Sequence, residues 1–277
     1  MPESIVQPPF GATPDIAVLP FFHAVPGIGV LPVNTFVISA QEPVLVDTGL
    51  GLDTEAFMKG LRSIVDPRDL KWIWITHDDP DHIGSLREVL DAAPDARVAI
   101  NFIGASRLSA TWHFPMDRVY FLNPGESLDV GDRKLTAVRP PSFDAPGVNG
   151  IFDEKAKVYF SVDACGAIIP SPAKDAADIA TDDLETGFNV WHSADAPWLH
   201  MVDQGKFAHV LDRIRELDPQ LILSSHLPPA RGNNEELLRL LAAVPDTEPF
   251  VGPNQAALEA MLAQITQRGG PPGADAS

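Results

Sequence analysis

Cysteine is almost absent from this chain: Cys165 stands alone among 277 residues. One thiol cannot close an intrachain disulfide, so nothing argues for an oxidising compartment, and the cytoplasm is the default expectation. Positive charge is scarce as well. Twenty Lys and Arg face 38 Asp and Glu, for a formal charge of −18. No basic cluster stands out along the sequence, and such a field repels phosphate backbones, which argues against nucleic acid as a partner. Anionic bilayers are disfavoured for the same reason. No apolar run approaches the ~20 residues that span a membrane, and the amino terminus lacks the basic-then-apolar layout of a signal peptide. No repeat recurs at a period of about 20–50 residues. What is there, 45% apolar and 21% charged residues, is the composition of an ordinary globular protein long enough to bury a sizeable core.

Against that plain background one run stands out: His77-Asp78-Asp79-Pro80-Asp81-His82. His77, Asp79, Asp81 and His82 sit at metal-ligand spacing. The preceding stretch, Leu70 to Ile75, is apolar, β-branched and aromatic and predicts a strand, and Gly84 to Ala93 predicts a helix. Donors on a loop at the carboxyl end of a strand can converge on one point, as they do in open α/β sheets. The bland alternative is a solvated acidic turn with a histidine at each end.

The rest of the chain repeats the theme. Residues 1–16, rich in proline and small residues, read as a flexible arm, and 268–277 as a disordered tail, leaving 17–267 as one domain. Val30 to Ile38 and Pro43 to Asp47 form a leading pair of strands, followed by a helix over Thr54 to Ser63. Arg97 to Asn101 is a further strand, with a short helix from Ile103. Between Arg118 and Val162 the rhythm turns hairpin-like, with four short extended runs and turn signals at Asn123-Pro124-Gly125, Gly131-Asp132 and Pro146-Gly147. Helical spacing returns at Phe207 to Leu217; Leu221 to Leu223 is a buried strand, and 235–243 and 255–267 are helices. Two half-domains of strands followed by helices suggest paired sheets with helices outside.

Asp163 follows the strand Val158 to Val162, and His226 follows Leu221 to Leu223. Taken alone, Asp163 reads equally as the cap of a turn, and His226 as a core histidine held by Ser224 or Ser225. Their shared position at strand ends gives them weight. Asp47 reads as a structural residue steadying the loop that supports His77. Cys165 reads as a small buried residue. His23, His113, His192, His200 and His209 have no donors at metal spacing. Trp112, Phe143 and Trp191 are candidates for lining the site.

These residues together resemble the metallo-β-lactamase superfamily, whose signature is His-x-His-x-Asp-His after a strand. The resemblance runs from about residue 30 to 230 and implies a four-layer αββα sandwich with two metal ions at one edge of the paired sheets. It is nearest the non-haem di-iron branch, the flavodiiron and oxygen-binding di-iron proteins, which carry a carboxylate where hydrolases have the second histidine; here that residue is Asp79. By the same resemblance one ion takes Asp81, His82 and His226, the other takes His77, Asp79 and a middle ligand, and Asp163 bridges them. Two departures stand out. The branch usually has glutamate at the Asp79 position. Its middle ligand is histidine, and no histidine occurs between His113 and His192; Asp144, in Pro140 to Gly147, is the donor on offer.

The implied function follows from donor hardness. A site with Asp79, Asp144, Asp163 and one imidazole suits iron, with manganese or zinc as alternatives. The expected activity is binding or reduction of O₂ or NO. No flavin domain is expected within this chain, so electrons would come from a separate redox partner, and family members commonly pair as homodimers. The alternatives are a metal-dependent hydrolase of a small ester, thioester or lactone, built on Asp81, His82 and His226, and a degenerate, metal-poor binding module.

Overall fold

Alternation along the strands sets the layers, because successive side chains of a strand face opposite sides of its sheet. In the computed structural model, which describes residues 4–267, Phe36, Val46, Trp74 and Ala99 point one way and Val37, Leu45, Ile73 and Val98 the other. The first sheet comprises β1 (Ile5–Val6), β2 (Phe10–Thr13), β3 (Ile16–Val25), β4 (Gly29–Ile38), β5 (Val44–Val46), β6 (Trp72–Trp74), β7 (Arg97–Ile100) and β8 (Val119–Phe121). Its order is β1-β3-β4-β5-β6-β7-β8, with β2 also paired to β3. The second sheet comprises β9 (Ser127–Asp129), β10 (Lys134–Val138), β11 (Gly150–Asp153), β12 (Val158–Val162) and β13 (Leu221–Ser224), in the order β13-β12-β11-β10-β9.

The inner faces meet in one core, where Phe36 and Trp74 pack with Leu135, Ile151, Phe160 and Leu223. The outer face of the first sheet is covered by α1 (Thr54–Arg62), α3 (Leu86–Ala92) and α4 (Phe102–Thr111), through Leu61, Val89 and Leu108. The outer face of the second is covered by α5 (Thr181–Asp195), α6 (Gln204–Glu216) and α7 (Asn234–Ala243), through Phe188, Phe207 and Leu237. These are the four layers of an αββα sandwich. A short α2 (Pro80–Ile83) lies at the rim, and α8 (Gln255–Gln267) ends the described chain. No helix among the described residues is long and apolar enough to cross a membrane.

Three sequence expectations change here. The flexible arm over residues 1–16 is corrected: from Ile5 onward the segment is largely strand, with Ile5 opposite Phe22 and Phe10 opposite Val18. Of its prolines from Ile5 onward, Pro8 and Pro9 fall between β1 and β2 and Pro14 between β2 and β3, where a missing backbone donor breaks no ladder bond. The run at 118–122 does not join the later strands; β8 pairs parallel with β7 in the first sheet, reached through α4. The helix expected over 84–93 is interrupted at Gly84-Ser85, because their backbone N–H groups bond the carbonyls of Gly49 and Thr48 in the loop after β5. A side chain at Gly84 would collide with the backbone of residues 49–51. The C-terminal tail, 268–277, lies outside the described residues.

Candidate metal centre

Parallel pairing brings carboxyl ends together. β5 and β6 run parallel, so Asp47 and the 77–82 segment, which runs into α2, leave the first sheet side by side; β12 and β13 run parallel, so Asp163 and Ser225-His226 leave the second side by side. The two edges are stitched by Asn34, whose backbone N–H bonds the Ser225 carbonyl at 2.8 Å and whose amide donates to Ser224 and Leu227 carbonyls. Asp144 arrives on the loop after β10, in a segment held by Arg139, which donates to the carbonyls of Pro146 and Val148. Asp163 follows Val162, a β-branched residue with a left-handed φ of 58°, and Asp47 and Cys165 are left-handed too. Such backbone costs on the order of 1–2 kcal/mol per residue and persists only where its surroundings enforce it.

All seven residues singled out in the sequence meet. Asp163 stands at the middle. Its Oδ1 lies 3.1 Å from His82 Nε2 and 3.0 Å from His226 Nε2, while its Oδ2 lies 3.4 Å from His77 Nε2. Asp81 Oδ2 is 3.7 Å from His82 Nε2 and 3.5 Å from His226 Nε2. Asp144 Oδ1 is 4.0 Å from His77 Nε2. The donors fall into three mutually close groups: Asp81 with His82 and His226, His77 with Asp79 and Asp144, and Asp163 with His77 and His82. Asp163 and the three histidines are buried, whereas the side chains of Asp79, Asp81 and Asp144 are 33%, 25% and 23% exposed and form the mouth.

The outer partners of the imidazoles fix which nitrogen faces inward. His226 Nδ1 lies 2.8 Å from the Pro32 carbonyl, which can only accept, so Nδ1 carries the hydrogen. His82 Nδ1 lies 2.8 Å from Asp47 Oδ2 and donates to it. Thr76 Oγ1 spends its hydrogen on Asp47 Oδ2 at 2.8 Å and accepts from His77 Nδ1 at 3.2 Å. In its neutral form each ring therefore turns an Nε2 lone pair toward the Asp163 oxygens. Lone pair against carboxylate is repulsive unless a cation lies between them. Among buried polar atoms, His82 Nε2 and Asp163 Oδ2 have no hydrogen-bond partner.

The electrostatics likewise favour positive charge among these groups. Burial pushes His82 and His226 down, but Asp81, Asp47 and Asp163 outweigh it for His82, and Asp163 for His226, so both stand above the ordinary imidazole value. His77 is lowered, by burial and then by His82. Burial raises Asp163, yet the surrounding imidazoles hold it well below the usual carboxylate range. Burial, then the charges of Asp163 and Asp79, push Asp144 up to about 7. Such a cluster draws in positive charge. Asp79, Asp81, Asp144 and Asp163 with three neutral imidazoles balance two divalent cations, so the residues present fit a two-metal group.

Several contributors carried little signal in the sequence. Thr76 and the Pro32 carbonyl set ring tautomers, and Asn34 joins the sheets. Asp47 bonds His82 directly, and reaches His77 by hydrogen bond through Thr76. Trp191, a candidate lining residue, donates its indole N–H to the Asp163 carbonyl at 3.0 Å and packs its ring 4.5 Å from that of His226. Trp112 packs instead against Phe114 and Arg87. Cys165 is buried, and burial pushes its thiol up to about 12, so it stays protonated.

Comparison with known proteins shows which chains share this sequence pattern and fold. The "Flavo-diiron protein FprA2" of Clostridium acetobutylicum is 26% identical over 198 residues, 70% of this chain and 48% of that protein. The "Anaerobic nitric oxide reductase flavorubredoxin" of Salmonella typhi is 30% identical over 134 residues, 48% of this chain and 28% of its own. The chain thus spans less than half the length of these relatives. Among solved structures, the rubredoxin oxygen:oxidoreductase of Desulfovibrio gigas superposes with a TM-score of 0.77 at 17% identity, over 87% of this chain and 62% of that one. The family model described as "ODP family beta lactamase" matches residues 31–226, a span that includes every residue of the cluster, and the chain belongs to that family, with the metallo-β-lactamase fold.

Proposed function

We propose that this chain is the metal-binding core of a non-haem di-iron protein that binds or reduces O₂ or NO with electrons from a separate donor. The observation that carries this reading is the division of Asp163: one carboxylate oxygen faces His82 and His226, the other faces His77. A carboxylate so placed has one oxygen for each of two ions. Asp81, His82 and His226 would hold one ion, and His77, Asp79 and Asp144 the other. A pair of ferrous ions held there would supply electrons and an open coordination position to a diatomic oxidant. Around them, Asp163 would face both ions, Asp47 and Thr76 hold His82 and His77 in the ligating tautomer, and Trp191 walls off the His226 side. Three carboxylates and one imidazole about the second position favour iron over zinc. The relatives named for nitric oxide reductase and oxygen oxidoreductase activity support the same choice of substrates.

Metal analysis after expression with both iron and zinc supplied tests the proposal. The expected result is about two irons per chain, with anaerobically reduced protein consuming O₂ or NO in a stopped-flow mix. A single zinc with esterase activity would replace the proposal by a hydrolase. Absence of stoichiometric metal would leave a binding module.

A further inference from the structure

In a chain with 20 basic and 38 acidic side chains, one apolar cleft reverses the balance. It lies beside α6 and the segment following β10 and has a volume of about 620 Å³, within the ~300–1,000 Å³ range of small-molecule sites. Arg139, Lys206 and Arg213 line it, and Glu216 is the one carboxylate among its lining residues. Lys206 and Arg213 are seven residues apart on α6, two helical turns, and so share a face. Phe143 and Trp198 form an aromatic wall, their ring centres 5.1 Å apart, with the Arg139 guanidinium 5.3 Å from the Phe143 ring centre.

These cations lack ion-pair partners among the described residues, as do Arg62, Arg87, Arg97 and Arg118; what sets Arg139, Lys206 and Arg213 apart is that all three line one cleft. Arg139 is half-buried, and burial lowers its affinity for its proton from the ordinary arginine value. A partly desolvated cation with only carbonyl partners gains from an anion brought to it.

We infer that this cleft binds a small planar aromatic molecule carrying a phosphate, with the ring against Phe143 and Trp198 and the phosphate at the basic rim. Apolar walls supply the affinity for the ring, and three unpaired cations select the anion. Placement gives the site a route to the metal centre. Trp198 donates its indole N–H to the Phe143 carbonyl at 2.8 Å, one residue before Asp144, so a ligand on this wall bears on the segment that presents Asp144.

Calorimetric titration of the full, metal-loaded chain with 1-naphthyl phosphate and with 1-naphthol separates the two contributions. The phosphate ester should bind at one site about tenfold tighter or more, an advantage that salt diminishes. The double variant Lys206→Glu/Arg213→Glu, both residues exposed, should lose that advantage while keeping its metal content and circular dichroism. Trp198→Leu should weaken both ligands. Equal affinity for the two compounds, or undiminished binding by the double variant, would overturn the inference, as would no binding at all. A dimer dispersed by the same double substitution, with no phosphate-dependent binding, would replace it by a contact between copies. Metal content read on the same samples keeps this outcome separate from the di-iron proposal.

Discussion

The two halves of the centre are built to different standards. Asp81, His82 and His226 meet where two strand ends converge, and both rings are tied by 2.8 Å bonds to buried acceptors, Asp47 and the Pro32 carbonyl. His77, Asp79 and Asp144 are assembled from one buried ring and two part-exposed acids, one of them on the irregular segment between β10 and β11. Rigid, desolvated donors bind with less reorganisation than mobile, hydrated ones. The first half is therefore expected to hold its ion more tightly, and Asp163 is the one proposed ligand that faces both.

Breaking that link should have the largest effect. Asp163→Asn replaces an acceptor that offers an oxygen to each side by an amide that bridges poorly, and metal per chain should fall from two to one or fewer by plasma emission spectrometry; retention of both ions with full activity would show that the bridge is misassigned. The asymmetry itself is sharpened by a pair of truncations. His226→Ala should strip the buried half and with it most bound metal, whereas Asp144→Ala should release only the exposed half and leave one ion in place. Equal losses from the two would abolish the distinction. A smaller effect is expected from Asp47→Asn, which weakens the hold on His82 Nδ1 and on Thr76 without touching the ions: affinity should drop about 10–100-fold, with stoichiometry restored at saturating metal.

The smallest effect concerns Asp195 on α5. Burial, then the charge of Asp163, pushes its carboxyl up to about 8. In the unfolded chain the same group titrates near its ordinary value of 3.8. Between those values the folded chain keeps a proton that the unfolded chain has released, so stability falls as pH rises through the window. Asp195→Asn removes that titration. Its advantage over the parent in denaturant unfolding should grow from about pH 5 to about pH 8, reaching on the order of 1–3 kcal/mol. A constant gap would mean that Asp195 is already ionised in the fold.

How much of this was legible in the sequence depended on what kind of group acts. The 77–82 run was readable because its four donors lie within six consecutive residues, although Asp81 and His82 fall on the short α2 rather than on a loop, and Asp163 and His226 because each follows an apolar strand. Asp144 could be found only as the sole donor in its segment. The tautomer-setting network was harder to read: the Pro32 acceptor is a backbone carbonyl, which no residue type announces, and Asp47 revealed a structural role but not its partner. Prolines disguised β1 and β2, since composition does not show whether they fall within strands or between them. The extended run at 118–122 was read correctly as a strand, yet periodicity is silent about which sheet receives it. The helix carrying Trp191 and Asp195 was not anticipated, because its polar and apolar residues separate weakly around the axis.

Val162 bears on how the metal-free protein behaves. A valine forced into left-handed backbone just ahead of Asp163 keeps the end of β12 loaded like a bent spring, and the anchoring of the Asp163 carboxylate is the latch. Metal taken up there would do more than fill coordination positions; it would secure a kink that the polypeptide by itself would rather straighten, so loading and local rigidity are expected to rise and fall together.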